Sequence, residues 1–265
     1  MQKIAIHSVP RSGSSWLGEI LNSSPNVKYC YQPLFSYKFK DFLDETSSKK
    51  NIDKFFTLLS ETDDKFVCQS EQRETGSLPK VKKFDLATHV VYKEVRYHHI
   101  IENLLRKDKT IKLILLVRDP VEVINSWINA PTEFDPNWTL ETQLFNGELK
   151  NLGRKENFFG LNAWAETAKL FEKLSKRYHE RVFLISYSML QRNLEQTIKY
   201  IYKFCDLSLT ETTYIFLKES LEKKVSGAHS VFRGGKKSQI TLNEHFVKKI
   251  ITYVTDAKLS HYINR

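Results

Sequence analysis

Between Pro10 and Leu17 the chain reads Pro-Arg-Ser-Gly-Ser-Ser-Trp-Leu. One cation, one glycine and three hydroxyls stand between an apolar run, Lys3–Val9, and a stretch of helical spacing over Ser14–Asn22. That order suits an anion. The first backbone N–H groups of a helix are unpaired and lie at the positive end of its dipole. Gly13 lets the backbone approach a ligand, Ser12, Ser14 and Ser15 add hydroxyl donors, and Arg11 adds charge. Together they make a cradle for a tetrahedral anion such as phosphate. A serine-capped helix start is the other use of the same residues. The stretch is not the nucleotide-triphosphate loop, which needs G-x-x-x-x-G-K-[ST] and a lysine that reaches the outer phosphates. The dinucleotide pattern G-x-G-x-x-G is also missing.

A second stretch has the chemistry to hold another phosphate. Leu113–Ile128 reads LILLVRDPVEVINSWI: an apolar run, then Arg118-Asp119-Pro120, then helical spacing that carries Ser126. Arg118 leaves the carboxyl end of the run, where ligands bind in open α/β sheets. A guanidinium forks onto phosphate oxygens. Pro120 fits a helix's first turn, where its missing N–H costs nothing, and Ser126 adds a hydroxyl one turn later. An Arg118–Asp119 pair serving only the helix start is the alternative.

Elements that alternate along the chain must position these residues. β-rich runs lie at Lys3–Val9, Val27–Tyr31, Lys65–Ser70, Val90–Val95, Lys112–Val117 and Val182–Tyr187. Helical spacing covers Ser14–Asn22, Ile52–Ser60, His98–Lys107, Val121–Ile128, Leu161–Tyr178, Leu190–Phe204, Glu211–Lys223 and Asn243–Val254. The unbroken apolar run Leu113–Val117 is what a strand buried on both faces requires. Such alternation predicts an α/β fold with a central, mostly parallel sheet flanked by helices. Ala130–Asn157 is polar and broken by proline and glycine, and it is expected as a long loop or lid insertion. Ser226–Ser238 is a second loop, basic and glycine-rich.

Pro10–Leu17 resembles the 5′-phosphosulfate loop of sulfotransferases that use 3′-phosphoadenosine 5′-phosphosulfate (PAPS), and Leu113–Ile128 resembles their 3′-phosphate segment. Val182–Leu190 is similar to the strand-then-tyrosine stretch that places a tyrosine, here Tyr187, by the adenine; a packing role for Tyr187 stays open. Phe232–Ser238 resembles the C-terminal Arg-Lys-Gly segment over the 3′-phosphate, with Arg233, Gly234, Gly235 and Lys236 in altered order. Val90–Arg96 looks like the K-x-V-R strand of the carbohydrate branch. The resemblance spans residues 10 to 238 in the family's order. It implies one α/β domain over residues 1–265, of a fold related to P-loop nucleotide-binding proteins.

The resemblance further implies transfer of a sulfuryl group from PAPS to an acceptor hydroxyl or amine, with no metal. Arg11 would stabilise charge on the bridging oxygen, where many relatives use lysine. Ser12, Gly13, Ser14, Ser15 and Trp16 would hold the 5′ end, with Trp16 either stacking on adenine or packing in the core. Arg118 and Ser126 would take the 3′-phosphate. The proton acceptor departs from the family pattern. Carbohydrate and tyrosyl-protein relatives place a glutamate just after the second strand, and this chain has Gln32, which is no base. Glu94 is the expected base and Lys93 its catalytic neighbour, although alternation puts the two on opposite strand faces. His7, His98 and His99 are further options.

Composition agrees with an anionic ligand. In 265 residues, 41 lysines and arginines face 31 acids, a net charge of +10, which favours anionic partners without choosing among them. Three cysteines without C-x-x-C spacing support neither a disulfide scaffold nor a zinc site. No leader pattern and no apolar run near about 18 residues occurs, so a cytoplasmic protein without stable membrane insertion is expected. The acceptor is expected to be a glycan or a small molecule. Nucleic acid is not an expected partner, since no recognised binding motif accompanies the charge. A P-loop kinase-like enzyme and a non-catalytic protein that binds 3′-phosphoadenosine 5′-phosphate (PAP) or another anion are the competing readings.

Overall fold

The computed structural model describes residues 1–222 and 241–264. Five strands form one sheet among the described residues: β1 (Gln2–Ser8), β2 (Val27–Tyr31), β3 (His89–Glu94), β4 (Lys112–Val117) and β5 (Val182–Ser186). Their order is β2-β3-β1-β4-β5, and every pair is parallel. The expected mixture is therefore wholly parallel. β1 lies at the centre, and the chain crosses over it in passing from β3 to β4.

Both faces of the sheet are covered, which is why the strands are apolar on both sides. On one face, Ile4, Ile6, Ile114 and Leu116 pack against Leu17, Ile20 and Leu21 of the helix Ser14–Asn22, which follows β1. On the other, Ala5, Leu113, Leu115 and Val117 pack against Val123 and Ile124 of the helix Pro120–Ile128, which follows β4, and Trp164 and Phe171 of the helix Leu161–Arg177. The helices after β1 and β4 thus leave on opposite faces. A crevice opens between the carboxyl ends of such a strand pair, the usual ligand site of an open α/β sheet.

Three expectations change. Lys65–Ser70 is not a strand. The Asp64 carboxylate accepts the Val67 N–H at 2.9 Å and caps a helical turn, Lys65–Cys68, and a second short helix, Ser70–Glu74, follows. In that turn only Val67 is buried, so no sheet face is there to be covered. The strand expected to reach Tyr187 stops at Ser186, whose hydroxyl accepts the Met189 N–H. Tyr187 instead opens the helix Tyr187–Arg192, which is separated at Asn193 from the helix Leu194–Phe204. The stretch 130–157 is more than a loop. It holds two single-turn helices, Leu140–Gln143 and Glu148–Asn151, and buries Phe134 and Leu144 in the core.

Candidate active site

The turn after β1 has the features that an anion cradle requires. Gly13 has φ +84°, the left-handed region that side chains disfavour, and caps the helix Ser14–Asn22 with no side-chain hydrogen bond. A methyl group at Gly13 would also overlap the Tyr187 ring. The glycine thus meets two demands, one from the turn and one from β5. Ser12 is fully buried, and its hydroxyl has no partner among the described residues. An orphaned hydroxyl is costly inside a protein, and a ligand oxygen would satisfy it. Ser14 is buried and Ser15 half-buried at the same turn.

β4 delivers the second set. Asp119 caps the helix Pro120–Ile128 by accepting the Val121 and Glu122 N–H groups. Its other oxygen accepts the Asn264 N–H at 2.6 Å, which ties the chain's last described turn to this helix start. Asp119 therefore works as a cap, and burial pushes its carboxyl up. Arg118 is free of it. Its Nε donates to Glu122 at 2.7 Å, its Nη1 donates to the Arg11 carbonyl at 3.1 Å, and its guanidinium lies 4.6 Å from the Tyr187 ring centre. Arg11 is exposed, and its Nε donates to the Ser126 hydroxyl at 3.2 Å.

The fold therefore brings together residues from three separate segments: Arg11, Ser12 and Gly13 after β1, Arg118 and Ser126 after β4, and Tyr187 after β5. Trp16 is buried and meets Tyr187 edge-on at 6.4 Å, so it packs behind the tyrosine as part of the core. Arg233, Gly234, Gly235 and Lys236 lie outside the described residues.

The end of β3 departs from expectation. Lys93 pairs with Ile6 and Tyr31 and is buried, with Nζ 4.5 Å from the Tyr31 ring centre. Burial pulls its ammonium well below the usual lysine range. Glu94 belongs to the opposite face and is fully buried. One carboxyl oxygen accepts the Leu34 N–H at 2.9 Å, and burial pushes the group up. One oxygen holds the turn Pro33–Phe35, and the other, Oε2, is buried with no partner among the described residues, so the carboxyl has no surface open to an acceptor in this structure. His7 and His98 are sealed as well. Their Nδ1 atoms lie 3.1 Å apart, and His7 Nε2 lies 3.0 Å from the Tyr92 hydroxyl.

Beyond this turn a polar group joins Gln32 to the 130–157 segment through Arg96. Gln32 has φ +40° and accepts from Arg96 Nη1 at 3.0 Å, while Arg96 Nε donates to Asn157 at 3.0 Å. The Arg96 guanidinium lies 4.2 Å from the Phe35 ring centre, and its other nitrogen is 3.8 Å from Glu133. Glu133 and Asn157 come from the 130–157 segment, whose polar composition was the one signal for them. Beside this group the rings of Tyr31, Phe35 and Phe66 meet, at 5.7 Å for Tyr31–Phe66 and 6.2 Å for Phe35–Phe66. Phe35 and Phe66 are exposed, as is Tyr37, whereas Trp138 packs on Phe134.

Among the described residues no group of three or more metal-ligating side chains occurs, and no helix is long and apolar enough to cross a membrane.

Comparison with known proteins agrees with this geometry. The fold matches a mouse sulfotransferase crystallised with PAP, at 15% identity and a TM-score of 0.55, over 97% of this chain and 83% of that one. It matches a sulfotransferase from Alicyclobacillus acidocaldarius at 12% identity and 0.55, over 100% and 96%. The sulfotransferase domain of a Synechococcus olefin synthase matches at 15% and 0.53, over 99% and 95%. No curated protein sequence matches the chain. The family model of the sulfotransferase domain matches residues 1–264, so the chain belongs to the sulfotransferase family.

Proposed function

We propose that the protein transfers a sulfuryl group from PAPS to a hydroxyl group of a carbohydrate acceptor. The carrying observation is the buried, partnerless Ser12 hydroxyl at a left-handed Gly13, set against Arg118 and Tyr187. When bound, PAPS supplies a sulfuryl group activated by its link to phosphate. Ser12, Ser14, Ser15 and the free N–H groups of the first helical turn hold the 5′ end. Arg118 and Ser126 hold the 3′-phosphate. Tyr187, backed by Trp16, flanks the base.

Arg11 supplies positive charge near the transfer point, and buried Lys93 holds the end of β3 beside it. In reactions of this kind, positioning and charge stabilisation supply most of the catalysis. The carbohydrate reading rests on the exposed rings of Phe35 and Phe66, with half-buried Tyr31 against Phe66, beside the buried polar pair Gln32 and Arg96. Such surfaces stack on sugar rings while the polar groups orient hydroxyls. The unpaired thiols of Cys30, Cys68 and Cys205 suit a reducing, cytoplasmic setting.

Thermal unfolding with PAP tests the donor assignment, with adenosine 5′-phosphosulfate and ATP-Mg²⁺ as controls. Ligand at about 100 times its dissociation constant adds about 2.7 kcal/mol, or a shift of about 5 °C or more for a chain of this size. A shift for PAP well above both controls is expected. A larger shift for ATP-Mg²⁺ would return the kinase reading. Radiolabelled PAPS offered with a glycan panel and a panel of phenols tests the acceptor, and label on phenols alone would refute the carbohydrate class.

A further inference from the structure

One chemical task is still without a residue: the acceptor hydroxyl must lose a proton to a group within hydrogen-bond reach. Glu94, His7 and His98 are fully enclosed, His99 lies 3.9 Å from the Glu45 carboxylate, and Gln32 is an amide. Glu122 is engaged by Arg118 at 2.7 Å, and a second carboxylate near the crevice is partly exposed. The Glu133 side chain is 25% exposed. Its backbone fixes it in place: its carbonyl accepts the Trp127 indole N–H at 3.0 Å and its N–H donates to Ala130 at 2.8 Å. Its Oε2 is buried, 3.8 Å from Arg96 and 2.5 Å from Lys150, and takes no well-aligned hydrogen bond, so the exposed part of the side chain lies away from that oxygen. Arg96 also donates to Gln32, so the carboxylate stands across one guanidinium from the position that lacks an acid. Its charge is felt by Arg11 in the turn after β1, by Lys93 of β3 and by Tyr31 of β2.

We propose that Glu133 is the proton acceptor of the transfer reaction, supplied by the 130–157 segment in place of a carboxylate at the end of β2. This rests on the PAPS reading above. The acceptor hydroxyl gives its proton to a Glu133 oxygen. Its oxygen lone pair forms the new O–S bond. The S–O bond to the 5′-phosphate breaks, and its electron pair stays on the phosphate oxygen beside Arg11. Arg96 and Lys150 hold the carboxylate in position, and Gln32 orients Arg96.

The test uses the full chain as wild type, E133Q and E133A, with PAP as the binding probe and PAPS with water as acceptor for turnover. Wild type is expected to bind PAP and to convert PAPS slowly to PAP and sulfate. E133Q should bind PAP at least as tightly, because a negative charge near an anion site is gone. Its PAPS conversion should fall about 100-fold or more. Formate, a free carboxylate, should restore turnover to E133A. An E133Q rate within about threefold of wild type, an E133A rate that formate leaves unchanged, or PAP affinity lost in step with turnover would each overturn the assignment. So would wild type that binds PAP yet converts no PAPS. Wild type that binds no PAP overturns the donor reading itself, so the two failures are distinguishable.

Discussion

Arg118 spends one guanidinium on three neighbours: Glu122, the Arg11 carbonyl and the Tyr187 ring. Each is compatible with a phosphate on the open edge of the fork, and the Glu122 pair is partly exposed and so cheap to give up. R118A is expected to weaken PAP binding about 10- to 100-fold, the worth of a charge-assisted hydrogen bond. The analogue without the 3′-phosphate should bind both proteins alike. Calorimetry with the two ligands decides it, and an equal loss for both would remove Arg118 from the 3′-phosphate site. Lys93 and Glu94 show the opposite economy. Both are buried, and burial opposes the charge of each, so they hold the end of β3 and its neighbouring turn while exposed Arg11 meets the ligand.

At the scale of elements, the turn after β1 depends on what β5 brings to it. The Tyr187 ring sits where a Cβ on Gly13 would lie, and Gly13 itself adopts a left-handed conformation. G13A therefore meets two penalties: about 1–2 kcal/mol for the backbone and displacement of the tyrosine. A lower melting temperature together with weakened PAP binding is expected. An unchanged melt with unchanged affinity would show that the turn tolerates a side chain and that Tyr187 does not brace it. Gly18 makes a parallel fit one turn later, since a methyl there would collide with Tyr29 of β2. The helix after β1 is thus pressed onto the sheet at both ends of its first two turns.

Across the whole molecule, the pair His7–His98 couples β1 to the turn after β3 and responds to pH. Burial lowers His98 from its ordinary 6.5 to about 3, and His7 shifts the same way. Below pH 6.5 the unfolded chain takes up protons that the folded chain refuses, so stability falls as pH drops from about 6.5 toward about 3. The denaturation midpoint of wild type in urea should fall between pH 7 and pH 5. H98Q keeps a polar group of similar size without the titration, and its fall should be shallower. Parallel curves would mean that other groups govern the acid side. The surplus of ten positive charges lies behind this local chemistry as a general attraction for anions.

How much of the molecule was legible follows from the range of the forces concerned. Strand and helix alternation, the cap at Asp119, the cradle of Arg11 to Ser15 and the Arg118–Ser126 segment were readable because periodicity, caps and turns are decided within a few residues. The Lys65–Ser70 run misled because its β-rich composition was weighed without the capping Asp64. Gly13 could be read as a close-approach residue, but nothing local says that the approaching group includes Tyr187, 174 residues further on. Strand alternation set Lys93 and Glu94 on opposite faces, yet only the packed sheet shows that both faces are covered and Glu94 sealed. Glu133 had only the polar composition of its segment as a local sign. It reaches Arg96 because the 130–157 segment folds back over the carboxyl end of the sheet, held by Phe134 and Leu144 in the core. The sequence by itself determined the layered α/β plan and the form of the two turns proposed to hold phosphates, for these rest on short-range geometry. Which acid meets the site was decided by tertiary structure alone, because burial and long-range packing choose among carboxylates that are chemically the same along the chain.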